Sequence, residues 1–331
     1  MSSEDTNQDI EEVARQDFIN NVLIDFKPGD EFYETESTRL KKYGQCLECN
    51  KIRTGRKWCR SCNAEYFRQA FSTWTSGNLE IDYFIQNSQI YATSSLTNLE
   101  WWPYDIFSDI EEIGRGGYGT VFRAKRKVQR IKGWDYLNNK LLRFEEKDFY
   151  EYNGFVYVEY VVLKTIGQSQ ILPKDFLNEA KRLQRWAYQS ILTWGSPILQ
   201  GFTKNDDTGQ YYHVLEYYDK GDIRNIQNDE ITWYDRIKII YHVSKDMYNI
   251  HKAGLIHRDI HPGNVLRFMD GFDYININDL EDIQEQIEKA DEILRPKIKK
   301  QTYHPEAIYT SRIMPNFQEE HCSIGLNMVL D

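Results

Sequence analysis

From Ile106 onward the chain shifts to short β-rich runs, IEEIGRGGYGTVFRA, VYVEYVVLK and YYHVLEYY, each long enough for one strand or a tight pair of strands. Between them KDFLNEAKRLQRWAY puts Phe176, Leu177, Ala180 and Leu183 on one face, which predicts an amphipathic helix. A second helix is predicted over WYDRIKIIYHVSKDMYNIHKAG, closed by Gly254, with Ile237, Ile240, Tyr241, Val243 and Met247 on its inner side. Upstream the pattern is weaker. Residues 1–40 carry a loose helical spacing at Ile10, Val13, Ala14, Phe18 and Val22, then break at Pro28-Gly29-Asp30, and read as a helix in a mobile acidic lead. Residues 41–70 hold four cysteines, and residues 71–105 form an aromatic-rich connector with Trp74, Trp101 and Trp102. The strand-rich region then runs over 106–217, a helical region over 218–282, and a charged helix with a polar tail over 283–331. The class this order predicts is α+β.

Composition narrows the reading. A chain of 331 residues that is 40% hydrophobic and 14% aromatic can fill one large or two smaller cores. The formal net charge of −10 argues against a protein that coats nucleic acid or an anionic membrane, since both would repel it. No apolar run approaches the roughly 20 residues a bilayer span needs, and the first residues, MSSEDTNQDIEEVARQD, are acidic. The expectation is an intracellular, cytoplasmic protein with no membrane partner. Of five cysteines, four lie in two close pairs and Cys322 stands alone, a distribution that fits a reducing compartment and a metal better than a disulfide framework.

Those pairs are CLECNKIRTGRKWCRSC, two C-x2-C knuckles at Cys46, Cys49, Cys59 and Cys62. Each two-residue gap lets a turn aim both sulfurs at one ion, and two knuckles complete the tetrahedral thiolate shell that Zn²⁺ prefers, with no open position for catalysis. A structural zinc is therefore expected, with a short hairpin turning at Thr54-Gly55 between the knuckles. The lysines and arginines between Lys41 and Arg60 read as a solvated face around the thiolates in preference to a nucleic-acid surface.

The segment Ile113 to Ala124 contains G-x-G-x-x-G at Gly114, Gly116 and Gly119. In a dinucleotide-binding fold those glycines open a helix; here VFRA continues as a strand, so the motif reads as a β-loop-β flap whose backbone amides can approach phosphates, with Val121 over an adenine. A strand ending in VVLK follows, and Glu179 lies 15 residues beyond Lys164 in the predicted helix, a spacing that lets a carboxylate hold the lysine for the α- and β-phosphates. The intervening residues 125–159 are long for a strand connection, and GWDYLNNKLLRFEE reads as an added hairpin. At the end of YYHVLEYY, Leu215 is read as facing the nucleotide pocket, with the backbone of Glu216 and Tyr218 offering an acceptor and a donor to adenine.

Downstream stands the most specific motif, Ile256-His257-Arg258-Asp259-Ile260-His261-Pro262-Gly263-Asn264-Val265-Leu266. H-R-D-x-x-x-x-N, with the flap, VVLK and helix glutamate in order before it, resembles the protein kinase superfamily. That resemblance implies a kinase fold, an N-lobe with a five-stranded antiparallel sheet and one helix, and ATP with Mg²⁺ as cofactors. It implies Asp259 accepting the proton of a protein hydroxyl, Lys164 and Glu179 holding the phosphates, and Asn264 and Asp279 on magnesium. Gly114, Gly116, Gly119, Val121, Glu216, Tyr218 and Leu266 would surround the nucleotide. The cysteine pairs, the WTSGN segment, a WxPY lead into the flap, the insertion and the tail HPEAIYTSR together are similar to the tyrosine-kinase-like proteins greatly expanded in mycorrhizal fungi.

Two departures qualify the resemblance. Asp279-Leu280-Glu281 stands where D-F-G is expected, so glutamate replaces a flexible glycine and adds negative charge near the phosphates. His261 replaces the lysine usual in Ser/Thr kinases, and no arginine of the tyrosine-kinase kind follows, so the acceptor hydroxyl stays open. The residues after Glu281 are too few for an activation segment and a full helical lobe, so the resemblance implies a C-lobe reduced to its first helices and catalytic loop. Pro305-Glu306 reads as part of the tail. The expected partners are ATP and a protein substrate or signalling partner, the chain acting as a kinase or as an inactive adaptor.

Overall fold

The computed structural model describes residues 3–23, 34–116, 119–135, 138, 140–144, 160–166, 174–190, 198–219, 221–225, 232–252, 260–267 and 328–330. They fall into two compact units, Met1–Leu192 with Ile198–Tyr217, and Thr193–Pro197 with Tyr218–Asp331. No helix among the described residues is long and apolar enough to cross a membrane.

The first unit is built on one sheet. Its strands are β1 (Glu100–Trp101), β2 (Phe107–Gly116), β3 (Gly119–Arg126), β6 (Tyr160–Lys164), β7 (Leu199–Lys204) and β8 (Tyr211–Glu216), in the order β1-β7-β8-β6-β3-β2. The five expected antiparallel strands are all present. A sixth, β1, adds parallel to β7 through Glu100↔Gly201 and Trp101↔Phe202, at an edge no alternation in the connector had marked. Gly201 permits this approach: its φ is +144, and a Cβ there would overlap the Glu100 carbonyl. Trp102, Phe107, Ala124, Val161, Leu163, Tyr212 and Val214 form the core on one face of the sheet.

On the other side lies the helix carrying Glu179, here α5 (Lys174–Ser190). Phe176, Leu177, Ala180 and Leu183 are all buried, as their spacing predicts. Three helices precede the sheet with α1 ahead of them: α1 (Ser3–Asn21), α2 (Glu36–Tyr43), α3 (Arg60–Ala70) and α4 (Leu79–Tyr91). Helix α1 is docked over its C-terminal half, where Phe18 and Val22 are fully buried and Phe18 meets Phe84 edge-on at 5.4 Å. Ile10 and Val13, which share the same loose spacing, stay exposed. The added hairpin is present as β4 (Ile131–Asp135) and β5 (Lys140–Arg143), paired through Trp134↔Leu141 and Asp135↔Lys140.

The second unit holds α6 (Trp233–Lys252), the turn at Pro262–Asn264, and β9 (Val265–Arg267), which pairs in parallel with β10 (Met328–Leu330). Thr232 and Asp235 cap α6 reciprocally: the Asp235 carboxylate accepts from Thr232 N–H at 2.8 Å and Thr232 Oγ1 accepts from Asp235 N–H at 3.0 Å. The inner face of α6 differs from the expected one. Lys238, Ile239, His242, Asp246 and Ile250 are buried, whereas Ile240 and Tyr241 are exposed. Apolar residues occupy nearly every angle of this helix between 237 and 243, so its spacing alone leaves the buried side ambiguous. Gly254, the rest of the tail and Pro305-Glu306 lie outside the described residues.

Candidate functional site

The glycine flap is an antiparallel hairpin. Gly114 pairs with Val121 and Gly116 with Gly119 across β2 and β3, and the row continues through Val121↔Lys164 to Lys164↔His213. Directly opposed residues share one face of a sheet, so Val121, Lys164 and His213 lie side by side. Two glycines of the motif have different reasons to be glycine. At Gly119, φ is +140 and a Cβ would overlap the Thr165 carbonyl, so packing alone demands glycine. At Gly114 a Cβ would meet nothing within 4 Å among the described residues, and none of them explains its bareness. The hairpin is tied down near its turn by Thr165, whose N–H donates to the Thr120 carbonyl at 2.9 Å and whose Oγ1 accepts from Thr120 N–H at 2.8 Å.

Lys164 and Glu179 meet as the spacing anticipated. Lys164 Nζ donates to Glu179 Oε1 at 2.8 Å, with the side chains 15% and 9% exposed. Burial alone would raise the Glu179 pKa, but the charge and hydrogen bond of Lys164, with smaller contributions from His213 and Arg182, together outweigh it and hold the carboxyl below its usual range. His213, fully buried, is 4.0 Å from the same Oε1 through Nδ1, and its Nε2 lies 3.1 Å from the Phe176 carbonyl on α5. A carbonyl only accepts, so Nε2 carries the hydrogen and, in the neutral ring, Nδ1 is a bare lone pair. Burial pushes the His213 pKa down to about 4, which keeps the ring neutral at ordinary pH.

Sequence reasoning passed over three of these residues. His213 looked like one more position of a buried strand; a histidine inside YYHVLEYY was the available signal. Thr165 follows VVLK directly. Val162 is two residues before Lys164 and opposite Leu215, hence on the lysine's face by the two-residue alternation of a strand.

Glu216 ends β8, its N–H bonded to the Ile198 carbonyl at 3.1 Å; Tyr218 opens the second unit. There His261 Nδ1 accepts from Gly263 N–H at 3.0 Å, and Asn264 N–H donates to the His261 carbonyl at 2.8 Å. Thus His261 caps the turn that carries Asn264, with Leu266 following in β9 and bridged to Asp222. Asp259 and Asp279 lie outside the described residues.

Cys46, Cys49, Cys59 and Cys62 converge: their sulfurs all lie within 4.8 Å of one another, the one such cluster among the described residues. Cys46–Cys62 is 3.7 Å and Cys49–Cys59 is 3.6 Å. Four thiolates about 2.3 Å from one Zn²⁺ stand about 3.8 Å apart at the corners of a tetrahedron, so the set fits zinc with sulfur shifts of no more than about 1 Å. Burial would raise the Cys46 thiol, yet the backbone of Cys49 and Glu48 hydrogen-bonds its sulfur and brings it down to about 7. Burial pushes Cys59 up to about 11. Thiols this close cannot all ionise without a cation between them. The turn between the knuckles sits at Arg56-Lys57, closed by Gly55↔Trp58, two residues later than Thr54-Gly55, and Cys59 stands at the N-cap position of α3.

Residues 156–312 match the family model described as Protein kinase domain. Mitogen-activated protein kinase 12 of Mus musculus is 26% identical over 174 residues, covering 51% of this chain and 39% of that protein. Interferon-induced, double-stranded RNA-activated protein kinase of Rattus norvegicus is 28% identical over 181 residues, 52% and 30% of the two chains, and its Mus musculus counterpart 30% over 173 residues, 48% and 27%. The chain therefore spans well under half the length of these relatives. The matched segment starts at residue 156, near the end of the insertion, and so leaves out the glycine hairpin, which lies in the same sheet as VVLK. A lobe of this topology, carrying that segment, is a protein-kinase-like fold, and the proteins it resembles are protein kinases.

Proposed function

We propose that the first unit binds Mg²⁺·ATP beneath the glycine hairpin and that the chain transfers its γ-phosphoryl group to a protein hydroxyl. The observation that carries this is the buried Lys164–Glu179 pair at 2.8 Å, in one row with Val121 and beside the open backbone of Gly114. Phosphoryl transfer needs charge neutralisation and alignment more than strong base chemistry. In this reading Lys164 holds the α- and β-phosphates while Glu179 holds Lys164. Gly114, Gly116 and Gly119 let amides close on the phosphates, and Val121, Leu266 and the backbone of Glu216 and Tyr218 bound the adenine. Asn264 and Asp279 would hold magnesium, which neutralises the phosphate charge when bound; Asp259 would accept the hydroxyl proton. Ser/Thr acceptors, the tyrosine-kinase-like grouping and a structural zinc on Cys46, Cys49, Cys59 and Cys62 belong to the same proposal.

A second reading, a nucleotide-binding adaptor without turnover, is favoured by Glu281 at the D-F-G glycine position. The two separate in one set of assays. Mg²⁺·ATP at ten times Kd stabilises the chain by about 1.4 kcal/mol, and Lys164→Met abolishes that shift; an unchanged shift in the mutant would place the nucleotide elsewhere. Radiolabel transfer to generic Ser/Thr or Tyr substrates, lost in Asp259→Asn, supports the enzyme, and a melting shift without transfer supports the adaptor.

A further inference from the structure

Helix α5 is covered on two sides. One stripe, Phe176, Ala180, Leu183 and Ala187, is buried toward the sheet. A second, at the i, i+4, i+7, i+11 spacing of a helix face, is Leu177, Lys181, Gln184 and Tyr188. Leu177, Gln184 and Tyr188 are buried there although two of them are polar. The second stripe is closed by the N-terminal part of the chain. Lys181 Nζ meets Asp17 of α1 at 2.8 Å, and Gln184 Nε2 donates to the Thr97 carbonyl at 2.5 Å. Beside it Arg185 Nη1 donates to the Asn21 carbonyl at 3.5 Å. Helix α1 in turn is fastened to α4 by Phe18, which is 1% exposed and packs on Phe84 at 5.4 Å and on Tyr91 at 5.9 Å.

We infer that α1 is a positioning clamp, wedged between α4 and α5, which holds α5 at the setting where Glu179 meets Lys164. The inference rests on the nucleotide-site reading for its effect on ATP, but not for the clamp itself. The physical case is one of freedom. Glu179 reaches Lys164 only while α5 keeps its rotation and height against β6. The sheet-facing stripe of Phe176, Ala180, Leu183 and Ala187 is apolar, so its burial opposes separation but supplies no directional bond that fixes the helix's rotation. On the sheet side the directional contacts are the Lys164–Glu179 pair itself and the His213 hydrogen bond to the Phe176 carbonyl at the helix start; the Lys181–Asp17 ion pair and the Gln184 and Arg185 hydrogen bonds add, on the outer side, the ones that hold the helix beyond its first turn. A nucleotide that needs the paired state binds more weakly in proportion to the fraction of molecules that lose it. Asp17 and Lys181 are thus positioning residues, remote from the nucleotide.

The test compares the full-length chain with Asp17→Lys, Phe18→Ala, and the exchange Asp17→Lys with Lys181→Asp. Asp17 and Lys181 are 38% and 22% exposed at their side chains, so the charge variants are expected to fold. Two readouts are taken. Without nucleotide, amide hydrogen exchange of the peptides covering β6 and α5 is expected to quicken in Asp17→Lys and Phe18→Ala and to return to the original rate in the charge exchange. With Mg²⁺·ATP, the dissociation constant is expected to rise about threefold for Asp17→Lys and about tenfold for Phe18→Ala, matching competent fractions of about a third and a tenth. The charge exchange should restore it. Free exchange of α1 amides in Phe18→Ala, with β6 and α5 exchanging as before, would overturn the clamp. If the unmutated chain binds no Mg²⁺·ATP, the nucleotide reading fails alone, and the exchange readout still decides the clamp.

Discussion

Lowering the pH from 6.5 toward 4 is expected to weaken the first unit through His213, and His213→Leu is expected to flatten that loss. In the folded chain burial holds the His213 pKa at about 4, against 6.5 for an ordinary histidine. Between those values the unfolded chain takes a proton that the folded chain refuses, so stability falls with falling pH by about 1.4 kcal/mol per pH unit, about 3 kcal/mol in all. Above pH 6.5 the ring is neutral in both states and contributes no slope. The charged groups facing the ring are Glu179 and Arg182 on α5 and Lys164 on β6; Glu179 favours a proton there, while burial, the largest effect, opposes it together with Lys164 and Arg182. Glu179 adds its own dependence lower down. Its folded pKa lies below 4.5, so its contribution is present above 4.5 and is lost as pH falls through the folded value. The assay is urea unfolding at pH 7.5, 6.5, 5.5 and 4.5 on both chains, taking the difference in free energy at each pH, which cancels titration common to both, including that of the cysteines and His242. His213→Leu costs about 1 kcal/mol at pH 7.5 for the lost hydrogen bond to Phe176, and the gap should close or reverse by pH 4.5. Parallel curves would refute the argument, since they would mean that His213 takes its proton equally in both states.

Two further outcomes follow from the packing. Purified protein should contain about one zinc per chain, falling to near zero in Cys59→Ser; metal analysis finding no zinc and four freely titrating thiols in the folded protein would exclude the site. Gly201→Ala should cost about 3 kcal/mol, since φ is +144 and the new Cβ overlaps the Glu100 carbonyl, whereas Gly209→Ala, with φ +71 and open space around it, should cost only about 1 kcal/mol. Equal melting temperatures for the two alanine variants would contradict the β1–β7 pairing.

What the sequence made legible was whatever a short, rigid spacing controls. The C-x2-C pairs specify a sulfur tetrahedron because two residues between ligands leave one turn geometry. Lys164 and Glu179 were legible because strand alternation and helix period fix which way each points. Where burial depends on a partner remote in sequence, the pattern fell silent. Strand β1 is two residues long and exists because Gly201, a hundred residues later, lets it approach. Helix α1 continues the same loose apolar spacing, yet of its marked positions only Phe18 and Val22 are buried, Phe18 by packing on Phe84 and Tyr91 of α4, while Ile10 and Val13 stay exposed. On α6 apolar residues point nearly all round, so periodicity could not select Ile239 and Ile250 over Ile240 and Tyr241. His213 sits in an apolar strand and is satisfied mainly by a backbone carbonyl on another element, which no local rule marks.

The insertion between the glycine hairpin and VVLK breaks the kinase pattern in sequence, and in the fold it is what the cysteine module rests on. A module of about thirty residues cannot bury a core of its own, and here it borrows one. Ile131 of β4 packs with Trp58, Phe67 and Ala92; Trp134 stacks on Tyr66 with centroids 4.0 Å apart; and the backbones approach so closely that a Cβ on Gly133 would stand 2.7 Å from the Lys57 carbonyl. The hairpin is tied in turn to the sheet edge. Glu100 of β1 accepts from Ile131 N–H at 2.8 Å and pairs with Arg143 of β5 at 2.9 Å, while Arg126 of β3 stacks on Trp102 at 4.8 Å. Each of these joints is small, but they lie in series from the thiolates through Trp58 and Ile131 to Glu100, and Glu100 is the residue that pairs with Gly201 in the sheet. If the cysteines hold the proposed metal, losing it would therefore loosen Trp58 first, then the hairpin, then the β1 edge, and would reach the row of Val121, Lys164 and His213 through β7 and β8 and through Arg126 of β3. The cysteine module is in this sense the far end of the same body that carries the lysine, and an accessory site for a separate ligand would not need to be built into its core.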